Sequence, residues 1–400
     1  MAAPLSPATD CKDREGFHLA SRSLQLMPPS FVPAPIAHLP WRVLLLICAI
    51  GAFSSIVLYS AAGGHLMPWA LPQAARFGAF LLLAVGMSYV RPETYKAMTF
   101  PAYGAVIVLL IFVELLGFVG GGAQRWLNLG VIRLQPSEFM KPIIVLTIAH
   151  FYSLLPPAEI RRWSAIWPAA AMIGFPAAII LVQPDLGTAA MVGFSGLAVM
   201  FLAGLPLRLF VGGLAAVGIA VPAIFPFLHE YQQRRILILL DPESDPLGSG
   251  YHISQSKIAI GSGGLFGKGF LHGTQSHLQY LPEGHTDFVF ATMSEEWGLA
   301  GGIALMVAFA LVIRWAMMVA LNTKGRFERL TAAGLAATLF FYVAVNLLMV
   351  MGLAPVVGIP LPIFSYGGSA QLTFMICMGI LMSIDRDNRT DRRSGSGRFA

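Results

Sequence analysis

The sequence predicts an all-α polytopic membrane protein, ten transmembrane helices with a long periplasmic loop between helices 7 and 8. Three observations predict it. Of 400 residues, 56% are hydrophobic and only 12% charged, with a mean hydropathy of +0.71, whereas charged residues alone make up about a quarter of a soluble domain. The apolar residues gather into ten runs, most of them near the roughly 20 residues that a bilayer crossing needs. The basic residues fall mainly in alternate connections between runs, the signature of cytoplasmic loops.

In chain order, residues 1–40 come first. They are mixed polar and proline-rich, lack the basic-then-apolar start of a secretory signal, and are expected to be a disordered cytoplasmic tail. The membrane unit spans 41–385. Its runs lie near 43–62, 71–90, 102–119, 139–155, 163–182, 187–205, 209–228, 288–321, 330–353 and 369–384. Arg91 and Lys96, Arg161 and Arg162, Arg208, and Lys324, Arg326 and Arg329 sit in alternate connections, which assigns those to the cytoplasm. An even number of crossings puts both termini there, including the Arg- and Ser/Gly-rich tail 386–400. The connections left outside are 65–69, 120–140, 183–185, 354–368 and the large loop 229–287.

The net charge of +6 and pI near 9.3 do not indicate nucleic acid, because the cations are spread over short inter-span loops. Cys48 and Cys377 lie inside apolar runs and Cys11 in the tail, so no disulfide framework is expected. Several cations nevertheless fall outside, among them Arg125, Arg133, Lys141, Arg234, Arg235, Lys257 and Lys268. Short external loops normally avoid such charge, and an anionic ligand on the outer face would explain it.

The densest chemistry lies in 278–299, LQYLPEGHTDFVFATMSEEWGL, which carries Glu283, His285, Asp287, Glu295 and Glu296 at the mouth of the eighth run. A carboxylate there is costly to keep ionised and needs a purpose or a partner. Asp287 is the candidate chemical centre; its plain alternative is a helix cap. Glu295 and Glu296 point to different sides of a helix, and their roles stay open. In 120–141, Trp126 and the arginines suit an interfacial segment. Glu138 and Lys141 stand at i and i+3, where they either pair locally or serve a ligand. Asp185 in QPDLGT is expected to cap the sixth helix. The glycine-rich GSGGLFGKG fails the P-loop pattern and reads as turns. His252, His272, His277 and His285 match no zinc spacing, although Asp287 and Glu283 are candidates for a divalent cation such as Mg or Mn. Glu114, inside the third run, suits a buried hydrogen-bond partner.

These segments look familiar in combination. GAQRWLNLG, LQPSEFMK, VQPDLGTA, IGSGGLFGKGFLHGTQSHLQYLPEGHTDFVF, EEWGL and APVVGIPLPIFSYGGS together resemble the SEDS family (shape, elongation, division and sporulation), closer to its rod-shape branch than its division branch. The likeness runs from about residue 41 to 385. It implies a peptidoglycan glycosyltransferase of the bacterial inner membrane that polymerises lipid II on the periplasmic face and releases undecaprenyl diphosphate. It also implies a class B penicillin-binding protein as transpeptidase partner, within the elongation machinery. The family's essential acid matches Asp287, and its Glu and Lys at the head of the fourth span match Glu138 and Lys141. Arg125, His285 and Ser365 join these as substrate-binding candidates. Because diphosphate is already a good leaving group, one carboxylate base suffices in principle, with cations for the leaving anion. A transporter for the lipid-linked precursor is the main rival reading, and a non-catalytic scaffold ranks below it.

Overall fold

The computed structural model describes residues 39–396, apart from 117, 121–122, 129–132, 228–232, 234–248, 279 and 282. The predicted tail 1–40 lies outside the described residues except for its last two. Long helices dominate: α1 (Trp41–Ala61), α2 (Ala70–Met87), α3 (Pro92–Leu116), α4 (Pro136–Leu154), α5 (Trp163–Val182), α6 (Leu186–Ala203) and α7 (Leu207–Ile224). After two short helices in the large loop, α8 (Ser249–Ser262) and α9 (Thr274–His277), come α10 (Val289–Asn322), α11 (Arg326–Val350) and α12 (Gly368–Ser396). Eight of these are long and apolar enough to cross a bilayer; α4 and α7 overlie the other two predicted runs. The chain is therefore a multi-pass, all-α membrane protein.

Proline placement helps set the helix starts. Pro136 opens α4 at the first position, where its missing N–H is no loss. At the centre, α4, α6 and α11 pack on one another, with α10 against α11 and α12 against α2. Gly334 of α11 lies so close to Val145 and Val199 that a Cβ there would crowd both, the small-residue contact by which membrane helices approach. Thr338 donates to Ser195 across the same seam at 3.0 Å. Outward faces stay apolar and exposed, as at Leu82, Leu115 and Leu214, since lipid rather than protein covers them.

Three departures from the sequence reading stand out. The segment after α3 forms a small antiparallel sheet, β1 (Phe118–Gly120), β2 (Ala123–Asn128) and β3 (Arg133–Leu134), with Phe118 opposite Trp126 and Leu127 opposite Leu134. The tail beyond 385 is helical as far as Ser396, tied down by Asn388 bonding Thr323 at 2.8 Å and by Arg386 over the Tyr89 ring. Glu114 is exposed near the end of α3 rather than buried.

Candidate active site

Asp287 sits in the turn that leads into α10. The helix begins at Val289 with Phe288 at the N-cap position and no side-chain capping bond, so the cap reading fails. Among the described residues the Asp287 carboxylate has no hydrogen-bond or ion-pair partner, and it is part-exposed. Its backbone is held instead. Asn346 of α11 donates to the carbonyls of Asp287, at 2.9 Å, and Ile359, at 2.7 Å, clamping the turn to the loop after α11. Gly358 of that loop has φ 69°, and a Cβ there would lie 3.4 Å from Asp287 Oδ2. Burial, and then the negative charges of Glu283, Asp185 and Glu138, push the Asp287 pKa up from 3.8 to about 7. That value suits a base working near neutral pH.

The head of α4 lies on the same side. Glu138 and Lys141 form an ion pair at 2.5 Å, and both side chains are buried. Tyr342 of α11 completes the group, donating to Glu138 Oε2 at 2.6 Å while Lys141 Nζ donates to its hydroxyl at 2.8 Å. Of the two readings left open, the local pair is the one formed: Lys141, counted among the external cations, is wholly enclosed and its charge is spent on Glu138. Asp185 does cap α6, accepting from Thr188 N at 3.1 Å, and its other oxygen accepts from Gln135 Nε2 at 3.0 Å.

A cavity of about 490 Å³ is lined by Trp69, His277, Leu281, Glu283, His285 and Thr292, among others, with Asp287 itself outside the lining. His285 stacks on Trp69 with ring centroids 4.2 Å apart. Burial lowers its pKa, with Glu283 pulling weakly the other way, so the ring is neutral at pH 7. Glu283 holds a left-handed backbone, φ 54°, fixed by Thr286, whose hydroxyl donates to its carboxylate at 2.6 Å. Such strain persists only where its surroundings over-determine it.

Glu295 and Glu296 turn out to anchor the large loop. Glu295 accepts from Lys268 at 2.7 Å and from the backbone N of Gln275 at 2.9 Å; Glu296 takes the hydroxyl of Ser60 and lies 3.6 Å from His277 Nε2. Here α10 is broken, Gly298 adopting φ 64° and ψ −163°, a region open essentially to glycine alone. The exposed backbone of this break pairs with the glycine-rich turn, Lys268 N to Glu295 O and Leu299 N to Gly264 O. GSGGLFGKG is thus a backbone splint for a helix break, and a Cβ on Gly263 or Gly267 would overlap Ser294 or Glu296.

Of the remaining candidates, the Arg125 side chain lies outside the described residues. Ser365 is buried, and its hydroxyl accepts from Leu361 N at 2.8 Å, bracing the loop rather than facing the cavity. Asn346 and Gly358 escaped the sequence reading. Asn346 left a signal, as an amide inside an apolar helix; Gly358 left little beyond its flanking prolines. Among the described residues, no three His, Cys, Asp or Glu side chains form a metal-ligating cluster.

The family model described as "Cell cycle protein", FtsW/RodA/SpoVE, matches residues 37–390. The chain belongs to the FtsW/RodA/SpoVE family. It is 45% identical over 352 residues to peptidoglycan glycosyltransferase MrdB of Escherichia coli K12, covering 87% of this chain and 93% of that one. It is 31% identical to peptidoglycan glycosyltransferase RodA of Treponema pallidum, covering 88% and 98%. A solved structure concerned with coordinated polymerization and crosslinking by a peptidoglycan synthase complex aligns with a TM-score of 0.76 at 34% identity, over 88% of this chain and 98% of that one. RodA of Thermus thermophilus aligns at 0.66 and 30%, over 88% and 97%. These family members share the multi-pass helical architecture, and they answer the sequence-level choice between polymerase, transporter and scaffold in favour of the first.

Proposed function

We infer that this protein is a peptidoglycan glycosyltransferase, which polymerises lipid II into glycan strands during cell elongation. The observation that carries the assignment of chemistry is Asp287, an unpaired carboxyl with a pKa near 7 in the segment whose Glu283 and His285 line a cavity large enough for sugar rings. As general base, its ionised form takes the proton of the attacking sugar hydroxyl. The new bond forms at the anomeric carbon as the bond to the diphosphate breaks, and undecaprenyl diphosphate leaves with the electron pair. A positioned base contributes typically 10²- to 10⁴-fold, and orientation and charge stabilisation supply the rest.

The other residues divide the work. His285, neutral and stacked on Trp69, forms a cavity wall for the substrate. Glu138 and Asp185 act at a distance by raising the Asp287 pKa, and Lys141 keeps Glu138 in place. Arg125 is kept as a substrate-binding candidate, whereas Ser365, buried with its hydroxyl on Leu361 N, supports the loop and not the substrate. A divalent cation, Mg or Mn, would be held by Asp287 and Glu283 together with substrate phosphates, as such ions commonly are. Counting α4 and α7 as crossings gives ten spans, both termini cytoplasmic and Asp287 on the periplasmic face of the inner membrane, the orientation that the loop cations favour. A class B penicillin-binding protein would then crosslink the product from the same side.

The test uses the purified full-length chain with lipid II, alone and with its transpeptidase partner, the products being separated by length after detergent extraction. Glycan strands in either arm are expected. Lipid II left intact in both arms, by protein that still binds it, would overturn the reading.

A further inference from the structure

The leaving diphosphate needs a positive partner, and few described cations are free to be one. Lys141 is enclosed with Glu138 and Tyr342, and Lys268 is held by Glu295 and Thr274. Arg76 differs from both. It lies in the second turn of α2, within a segment apolar enough to cross the membrane, and no carboxylate pairs with it among the described residues. Its guanidinium stacks over the Tyr366 ring at 4.3 Å. Nε donates to the Pro72 carbonyl at 3.0 Å, while Nη2 is buried with no hydrogen-bond partner. Nη1 lies against Gly368, the first residue of α12, where a Cβ would stand 3.1 Å from it.

A charge inside a bilayer is costly and normally has a partner. This one also sits at the N-terminal end of α12, where the helix macrodipole favours anions and disfavours a cation. One anion placed there would answer the unpaired guanidinium and the helix end together. The neighbours tie this position to the reaction centre. Tyr366 N donates to the His285 carbonyl at 2.9 Å, and the two rings stand 6.1 Å apart. Arg76, Tyr366 and His285 therefore form one continuous wall that ends two residues short of Asp287. Arg76 is part-exposed, so a headgroup anchored in the bilayer can reach it.

We propose that Arg76 binds the diphosphate of the lipid-linked substrate and of the released carrier, through the planar fork that suits phosphate oxygens. The inference rests on the glycosyltransferase reading but is tested without turnover. The full-length chain is placed in nanodiscs of neutral phosphatidylcholine and titrated with undecaprenyl diphosphate. Arg76→Gln is expected to bind roughly 10- to 100-fold more weakly, the range for one lost charge-assisted contact. Arg76→Lys keeps the charge without the fork and is expected to fall between. Parental affinity in Arg76→Gln overturns the proposal. Should the glutamine variant fail to fold, the lysine variant decides, and unchanged affinity there overturns the guanidinium contact. An excess of phosphatidylglycerol distinguishes the two lipid sources: it is expected not to compete, and equal competition would make this a site for bulk phospholipid headgroups and refute the assignment. A parental chain that binds the diphosphate yet never polymerises lipid II would overturn the enzyme reading alone.

Discussion

Replacing Asp287 with asparagine should make the folded protein more stable at alkaline pH while removing activity, and the sign of that stability change is diagnostic. The carboxyl is held at about 7 against 3.8 in the unfolded chain. A group whose folded pKa is raised in this way costs nothing below pH 3.8, where both states are protonated. As pH rises from 3.8 to 7, the unfolded chain releases the proton and the folded chain keeps it, so stability falls across that window and is flat above it. At 1.36 kcal/mol per unit, a shift of roughly three units amounts to about 4 kcal/mol as an upper bound. Asp287 is part-exposed, and solvent screening reduces this to about 2 kcal/mol.

Asn cannot ionise and escapes the cost altogether. Thermal unfolding of parental and Asp287→Asn protein in neutral detergent, from pH 4 to pH 8.5, should therefore give coincident midpoints at the acid end. The variant should gain a few degrees by pH 8. A structural aspartate with a stabilising partner gives the opposite sign. Equal or lower stability of the variant at pH 8 would refute the description of Asp287 as an unpaired base with a raised pKa.

The rate of polymerisation should rise with pH and level off above about 7, as Asp287 ionises; Asp185→Asn, which keeps the cap on α6 but removes a negative neighbour, should move the rising limb to lower pH in the same assay. Lys141→Met leaves Glu138 buried without its cation and is expected to destabilise the fold by about 3–5 kcal/mol, read as a lower unfolding midpoint and poor membrane yield. Gly298→Ala forces a side chain into φ 64°, ψ −163° and against the glycine-rich turn. It should loosen that turn, seen as faster protease cleavage between α8 and α9, at a cost of a few kcal/mol.

How much of this was legible follows from which interactions are local. The spans could be read because hydrophobic runs of the required length need no knowledge of their neighbours. Asp287 stood out because charge at the mouth of an apolar run is rare in so apolar a chain. The i, i+3 spacing allowed the Glu138–Lys141 pair, but its enclosure depends on Tyr342, 201 residues beyond Lys141, and no periodicity reports that. Asn346 clamps two carbonyls, one of them 59 residues away, and the partner of the glycine-rich turn lies across the loop at Gly298. Glycine content suggested turns correctly; that the turn splints a broken helix required both strands of the contact. The small sheet after α3 and the helical extension to Ser396 were missed because apolar periodicity carries little information in short or charged segments.

The account rests on Asp287 as the group that removes the proton, and its most direct test compares lipid II polymerisation by parental and Asp287→Asn protein at pH 8, with lipid II binding measured alongside. The parental protein is expected to produce long glycan strands. The variant is expected to produce none, at a loss of at least about 10²-fold, while binding lipid II with unchanged affinity. Strand synthesis by the asparagine variant at close to the parental rate would contradict the account and move the base elsewhere.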